Sequence, residues 1–238
     1  MKYTIIILLI GIFYIPNANA ETPIRFYENS KVGYKLANGK VIVAPVYYAG
    51  SDFENGYAIV VENNKRGFID TSGKLVIPLM YEDAQVFYDG IAPVKFAGKY
   101  GFINCKNEWI VQPHFESAYR FYEGFAKVKM NGKYGFVNKN GDLVIACRYE
   151  EATHFSDNVV AVKLHGKYGY LNTTGQVVLD FIYLQAACFD TATHTATIQI
   201  DENSGYRINK LGAVLETIPV KNEEEEQREK QQKNHEKR

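Results

Sequence analysis

Lysine, glutamate and tyrosine each recur along the chain with a spacing of 34 residues, and these three rows of side chains could bind a ligand or a partner. Lysine can donate hydrogen bonds to acidic groups, glutamate can accept them, and a tyrosine ring can stack on a sugar or a peptide. Stacked copies of a repeat would align each residue type as a stripe. The pattern predicts a binding surface formed by Lys65, Lys99, Lys133, Lys167, Tyr100, Tyr134, Tyr168, Glu82, Glu116 and Glu150.

A structural role for the same rows is also open. Lysine beside tight turns and sheet edges discourages aggregation through exposed strands, and neighbouring lysine and glutamate rows can pair with each other. Tyrosine at these places can pack against the framework instead of a ligand. The sequence favours these structural roles over ligand binding.

The other reactive residues show no catalytic or metal-binding pattern. The histidines fall at unrelated places in the repeat, and the chain has no nucleophile elbow, phosphate loop or zinc-ligand spacing. We therefore predict no catalytic residue, no cofactor and no metal site, because catalysis needs singular residues and the distinctive residues here are repeated. A hydrolase site in the irregular region near His194 is the enzymatic alternative.

The repeat that positions these rows is marked by one glycine per copy and by a phenylalanine 20 residues after it. Self-similarity at a fixed period indicates stacked units that bury their apolar faces against their neighbours. The glycines and phenylalanines are Gly33, Gly67, Gly101, Gly135 and Gly169, and Phe53, Phe87, Phe121, Phe155 and Phe189.

Each copy predicts about three short strands, as residues 135–145 and the segments around them illustrate. A first strand at 135–138 is followed by a turn in which Asn138 can accept backbone hydrogen bonds and Gly141 can take a positive φ. A β-branched second strand follows. A connector, either one helical turn or a bend, leads to a third strand, which returns to the next copy through an Asn-Gly type of hairpin.

The fold class predicted is therefore all-β. Tandem 34-residue repeats of about three short antiparallel strands would stack into an elongated or superhelical array. A closed ring resembling a β-propeller is the alternative, although 34 residues fall short of the roughly 40–50 usual for a four-stranded blade.

The two ends of the chain differ from the repeats. Residues 1–20 have the apolar run and the Ala18-Asn19-Ala20 site of a signal peptide, which predicts cleavage after Ala20 and a periplasmic or secreted protein. Residues 21–220 would form five full repeats and a degenerate cap, because Tyr206 arrives late and stands in the place of the glycine. Residues 221–238 predict a charged, solvated tail, and no later segment is long and apolar enough to span a membrane.

Charge and cysteine content exclude two further classes. The chain has 27 basic and 27 acidic residues, so we expect no attraction to nucleic acid. Cys105, Cys147 and Cys188 are an odd number at different places in the repeat, which argues against a disulfide framework and leaves one pair open.

The repeated motif, in which Gly-Lys-Tyr-Gly-Phe-Val-Asn precedes a turn glycine and Leu-Val-Ile, resembles the WG-repeat family of bacterial proteins. The resemblance extends from Lys31 to Thr217. The Trp-Gly pair that names the family is altered, and Trp109 lies instead in a second strand. The residues in the tryptophan place are Val32, Arg66, Tyr100, Tyr134 and Tyr168.

The resemblance implies a β-rich repeat with interaction or envelope-associated duties, and it brings no catalytic residues. We therefore predict an exported, non-catalytic scaffold that binds a protein partner. A module that binds cell-wall or other glycans through the tyrosine row is the alternative.

Overall fold

The computed structural model describes residues 22–202 and 204–219, which form an all-β structure without helices. The predicted signal peptide, residues 1–20, and the predicted charged tail, residues 221–238, lie outside the described residues. Within these limits, no helix has the length and apolar character needed to cross a membrane.

The strands form six antiparallel sheets, numbered here in chain order. Sheet 1 contains β1 (Ile24–Glu28), β2 (Lys31–Lys35) and β3 (Val41–Tyr47). Sheet 2 contains β4 (Ala49–Gly50), β5 (Tyr57–Glu62), β6 (Lys65–Asp70) and β7 (Leu75–Tyr81). Sheet 3 contains β8 (Asp83–Ala84), β9 (Ile91–Phe96), β10 (Lys99–Asn104) and β11 (Trp109–Phe115).

Sheets 4 to 6 continue the same order. Sheet 4 contains β12 (Ser117–Tyr122), β13 (Phe125–Met130), β14 (Lys133–Asn138) and β15 (Leu143–Tyr149). Sheet 5 contains β16 (Glu151–Ala152), β17 (Val159–Leu164), β18 (Lys167–Asn172) and β19 (Val177–Tyr183). Sheet 6 contains β20 (Gln185–Ala186), β21 (Thr195–Gln199), β22 (Ser204–Asn209) and β23 (Val214–Pro219).

One copy of the sequence repeat contributes strands to two sheets. The first and second strands of a copy, such as β10 and β11, complete one sheet, and its third strand, β13, belongs to the next. The three predicted strands are thus confirmed. The connector forms an additional short strand rather than a helical turn, with two residues in sheets 2, 3, 5 and 6 and six residues in β12.

The predicted turns have the backbone conformations that their residues favour. Asn131 and Gly132 join β13 to β14 with φ of 51° and 72°, the pair of positive values that a type I′ hairpin requires. In the following turn Asn138 Oδ1 accepts hydrogen bonds from the backbone N–H groups of Asn140 at 3.0 Å and Asp142 at 2.9 Å. Gly141 has a φ of 91° there.

The repeated glycine permits a close approach between two strands. A side chain at Gly135 would overlap the Ile145 carbonyl and lie 2.7 Å from Cys147 N, where the pairing of β14 with β15 shifts register. The equivalent carbonyls of the other sheets would meet an added Cβ just as closely. The distances are 2.5 Å from Gly67 to Ile77 O, 2.5 Å from Gly101 to Val111 O and 2.8 Å from Gly169 to Leu179 O. In sheet 6 Tyr206 replaces the glycine, and β22 pairs with β23 with one register shift rather than two. The glycine is therefore required by the bulged pairing.

Each apolar core lies between two consecutive sheets. The core between sheets 4 and 5 illustrates the pattern, and four other clusters fill the remaining interfaces. Its buried members are Phe136, Ile145, Tyr149, Phe155, Val160, Val162 and Leu171. The register phenylalanines Phe87, Phe121, Phe155 and Phe189 are at most 2% exposed, as the stacking prediction requires, whereas Phe53 is only partly buried.

The array is open at both ends. In the described residues β1 pairs only with β2 and β23 only with β22, and the five clusters all lie between consecutive sheets. A closed ring would need a sixth core between sheets 1 and 6. The stacked array predicted from the sequence is confirmed.

Sheet 6 ends the array with a polar face. Arg207 bonds Glu216 at 2.9 Å and pairs with Thr197 on the face opposite the buried Ile208. The other sheets carry a fully buried aromatic residue in the place of Arg207: Tyr34, Phe68, Phe102, Phe136 and Tyr170. A polar outer face is what a terminal repeat needs in water.

Candidate functional site

The predicted lysines lie along one rim of the array. Each is the first residue of the third strand in its sheet and directly follows the two-residue hairpin. We call residues 63–65, 97–99, 131–133 and 165–167 the hairpin rim. Lys133 is 3.9 Å from Glu150 of the next sheet, whereas Lys65, Lys99 and Lys167 form no ion pair within the described part of the chain. The rim therefore presents lysines at a regular interval.

The predicted glutamates hold the hairpins of this rim in place. Glu82, Glu116 and Glu150 directly precede the first strands of sheets 3, 4 and 5. Their carboxylates accept hydrogen bonds from the backbone N–H groups of Gly98, Gly132 and Gly166 at 3.1, 3.1 and 2.9 Å. The Gly166 hydrogen bond lowers the pKa of Glu150 from its ordinary value, which indicates that the charged form is stabilised there. Each glutamate thus ties the start of a sheet to its hairpin.

Two of the predicted tyrosines bond a carboxylate of their own sheet. Tyr100 donates to Asp83 at 2.5 Å, and Tyr168 donates to Glu151. Burial, and then these hydrogen bonds, raise the pKa of each tyrosine to about 12. Ammonium groups lie over the two rings, at 5.8 Å for Lys95 and 5.3 Å for Lys163.

The third predicted tyrosine, Tyr134, has a different environment. In sheet 4 the position of these carboxylates is occupied by Ser117, which lies opposite Lys129 on the neighbouring strand. Asp83 and Glu151 lie opposite Lys95 and Lys163 in the same way. Tyr134 instead interacts with the Tyr119 hydroxyl and lies under the ammonium groups of Lys127 and Lys129.

Sequence reasoning missed a fourth periodic row, on the loops that follow the first strands. Asn55, Asp89, Glu123 and Asp157 recur every 34 residues, all with positive φ between 49° and 56°. Each bonds the next sheet: Asn55 to Phe87 O at 2.7 Å, Asp89 to Lys139 at 2.7 Å, and Glu123 to the N–H groups of Asp157 and Asn158. We call these four residues the loop row. Their recurrence before Gly or Asn was the signal available in the sequence.

The last member of the loop row binds two side chains of sheet 6. The Asp157 carboxylate is 8% exposed and lies 2.8 Å from His194 Nδ1 and 2.7 Å from Lys210 Nζ. Burial acts to raise the pKa of Asp157, but the hydrogen bonds from Lys210 and His194 outweigh it and hold the pKa below the ordinary value of 3.8. Asp157 therefore anchors the terminal sheet.

Replacing Asp157 with Asn is expected to destabilise sheet 6 by about 1–2 kcal/mol, because the amide cannot replace the charge-assisted bonds to Lys210 and His194. Since the folded-state pKa is depressed, this stabilisation is present above pH 3.8 and is lost as the pH falls through the folded-state value. Hydrogen exchange of β21 and β22 at neutral pH measures the effect. Equal exchange protection in D157N and the parent chain would contradict it.

His154 and Cys188 occupy the same place in consecutive copies of the repeat. Cys188 Sγ lies 3.7 Å from His154 Nε2, and the imidazole stacks on Tyr122 with ring centroids 4.2 Å apart. Burial and the charges of Lys127 and Arg120 lower the pKa of His154. The described residues contain no group of three or more His, Cys, Asp or Glu that could hold a metal ion.

The comparisons with known proteins concern the repeat and the fold. A family model described as WG containing repeat matches residues 37–65, 67–100, 100–134, 134–168 and 168–190. No curated protein matches the chain in sequence.

Among solved structures, a eukaryotic initiation factor is similar with a TM-score of 0.51 and 8% identity, over 84% of this chain and 73% of that chain. Hsv2p of Kluyveromyces lactis has a TM-score of 0.46 and 12% identity, over 85% and 78%. BamB from Moraxella catarrhalis has a TM-score of 0.43 and 10% identity, over 86% and 75%. At these identities the likeness concerns the fold alone.

Proposed function

We propose, from the premise that the chain belongs to the family of WG-containing repeat proteins, that it is an exported, non-catalytic scaffold that binds a protein partner. The observation that carries this proposal is the hairpin rim, where lysines recur at one position of each sheet on a framework of bonded hairpins. Repeated contacts at a regular interval suit an elongated partner.

Charge supports a partner with acidic groups at this rim. Lys65, Lys99 and Lys167 form no ion pair among the described residues, while the neighbouring glutamates are bonded to backbone N–H groups. Lysines that lack an internal carboxylate can donate to a partner's acidic groups.

A non-catalytic role is supported by the bonding of His194, the residue near which the enzymatic alternative would place a hydrolase site. His194 shares the Asp157 carboxylate with Lys210, and in the described residues no hydroxyl or thiol is hydrogen-bonded to the His194 side chain. Export rests on residues 1–20 and their signal-peptide pattern.

The environment of the tyrosine row favours a protein partner over a glycan. Sugar recognition by tyrosine uses an accessible ring face. Here the hydroxyls of Tyr100 and Tyr168 donate to carboxylates, and lysine ammonium groups lie over all three predicted rings.

Charge reversal on the hairpin rim tests the scaffold. Residues 21–238 would serve as bait for proteins of the producing cells' envelope. The variant with Lys65, Lys99 and Lys167 changed to Glu is expected to lose most of the captured partner because each contact becomes repulsive. In the matched control Lys40, Lys74 and Lys106 are changed to Glu, which gives the same total change in charge. These three lysines lie at the turns outside the hairpin rim.

Two results would count against this assignment. A partner retained by the rim variant as well as by the control would remove the rim from the interface. Sedimentation with purified cell wall, lost when Tyr100, Tyr134 and Tyr168 are changed to Ala while circular dichroism stays native, would move the function to glycan binding.

A further inference from the structure

In sheets 3 and 5 the tyrosine of the third strand is bonded to a carboxylate of the first strand. Glu151, on the first strand of sheet 5, accepts a hydrogen bond from Tyr168 and forms an ion pair with Lys163 at 2.9 Å. In sheet 3 Asp83 accepts from Tyr100 and pairs with Arg66 of the preceding sheet at 3.3 Å. In both sheets one carboxylate compensates the tyrosine hydroxyl and the neighbouring cation.

Sheet 4 has the donors of this arrangement but lacks its carboxylate. Ser117 stands where the neighbouring sheets carry Asp83 and Glu151, in the same register with the lysine of the second strand. Lys129 and Tyr134, which pair with each other across β13 and β14, keep their places. Tyr134 interacts with the neutral Tyr119 hydroxyl instead of a carboxylate, and neither Tyr134 nor Lys129 forms an ion pair in the part of the chain that the structure describes.

One further cation, Lys127, lies beside this position, with its Nζ 5.3 Å from the centre of the Tyr134 ring. Lys127 Nζ donates to Ala152 O at 2.8 Å and lies 4.7 Å from the centre of the Tyr119 ring. Burial lowers the pKa of Lys127, so an added negative charge would favour its protonated form.

The nearby carboxylates are committed elsewhere. Glu116 accepts from Gly132 N at 3.1 Å, and Glu123 accepts from the N–H groups of Asp157 and Asn158. Glu151 is bonded by Tyr168 and Lys163. In the described residues no salt bridge compensates Lys127 or Lys129.

We infer that sheet 4 holds an open carboxylate-binding site, formed by Tyr134, Lys127 and Lys129 around Ser117, which takes an aspartate or glutamate side chain of a protein partner. This inference rests on the proposed scaffold function and names the chemistry of its partner. We expect a carboxylate of a peptide as the ligand. In the neighbouring sheets the same position is filled by the side-chain carboxylates of Asp83 and Glu151.

A variant that supplies the missing carboxylate from within tests the site. Residues 21–238 would be titrated into a fluorescein-labelled oligoglutamate peptide at low ionic strength, with oligoglutamine as the neutral comparison. Ser117→Asp is expected to weaken oligoglutamate binding by about tenfold, because its own carboxylate occupies the donors. Ser117→Asn fills the same space without the charge and is expected to weaken binding by much less than Ser117→Asp, which separates the effect of charge from that of volume.

Two measurements separate occupation of the site from other effects. Thr71→Asp adds the same charge at an exposed turn residue outside the site and is expected to bind as the parent does. Ser117→Asp is expected to melt at a higher temperature than Ser117→Asn, since an internal carboxylate relieves the uncompensated cations. Lys129→Met removes one donor and is expected to weaken oligoglutamate binding even if Ser117→Asp fails to fold.

The inference is overturned if Ser117→Asp and Lys129→Met both bind oligoglutamate as the parent does, or if the parent binds polygalacturonate and not oligoglutamate. A captured envelope protein that remains bound to Ser117→Asp would overturn this site and leave the scaffold intact. Oligoglutamate binding that Ser117→Asp removes, in a chain that captures no protein, would support the site and count against the scaffold.

Discussion

Replacing Phe155 with Ala is expected to lower the free energy of unfolding by about 3–5 kcal/mol, the usual cost of removing a buried phenylalanine ring. Phe155 is 1% exposed in the core between sheets 4 and 5. Its ring centre lies 4.5 Å from that of Phe125 and 5.1 Å from that of Phe136, both on the facing sheet. The substitution would therefore open a cavity in the apolar core between the two sheets.

The matched control is Phe53→Ala, which changes the same place in an earlier copy. Phe53 is partly exposed and packs against Tyr34 with ring centres 5.2 Å apart, so its removal is expected to cost about half as much or less. Denaturant unfolding gives the total, and hydrogen exchange of β14 and β17 gives the local effect, because repeat arrays need not unfold in one step. Similar losses for the two variants would show that burial at the register position does not set stability.

Replacing Gly135 with Ala is expected to destabilise the fold by about 3 kcal/mol or more, at the upper end of overpacking substitutions. The new Cβ would overlap the Ile145 carbonyl and lie 2.7 Å from Cys147 N, both backbone atoms that cannot rotate away. The pairing of β14 with β15 would have to give up its bulge. Thermal unfolding measures the loss, and the amide exchange of β15 locates it.

The control for this prediction is another glycine of the repeat. Gly166 has a φ of 77° and no neighbour within 4 Å of an added Cβ, and Asn64 occupies the equivalent hairpin position with a φ of 58°. Gly166→Asn is therefore expected to change stability by less than about 1 kcal/mol. If Gly135→Ala were as mild as this control, the close approach of the strands would not be the reason for the glycine.

The sequence was sufficient for the features that depend on local chemistry. Asn131-Gly132 and the turn ending at Gly141 require positive φ, so the hairpins followed directly from residue types. The two-residue first strands could not be predicted, since a pair such as Asp83 and Ala84 carries no periodicity. The stacking of consecutive copies followed from the register phenylalanines.

Only part of the candidate site could be predicted from the sequence. The rows of Lys, Glu and Tyr could be read from their spacing, but the bonds that Glu82 makes to a backbone N–H depend on how the chain turns. Ser117 is visible in the sequence as a departure from Asp83 and Glu151. Its meaning emerges only when the strand register places Lys129 opposite it and Tyr134 opposite Lys129.

Because each sequence copy is divided between two sheets, the fold constrains how such a chain can gain repeats by duplication. Duplication of any 34-residue segment among the internal copies, wherever its breakpoints fall, would add one complete sheet and one complete core. Breakpoints therefore need not respect the boundaries of a sheet. Growth beyond sheet 6 is blocked, because Arg207 and Glu216 would be trapped without water beneath a newly added neighbour. New copies must therefore enter by insertion, and the C-terminal sheet would stay the last through every change in length.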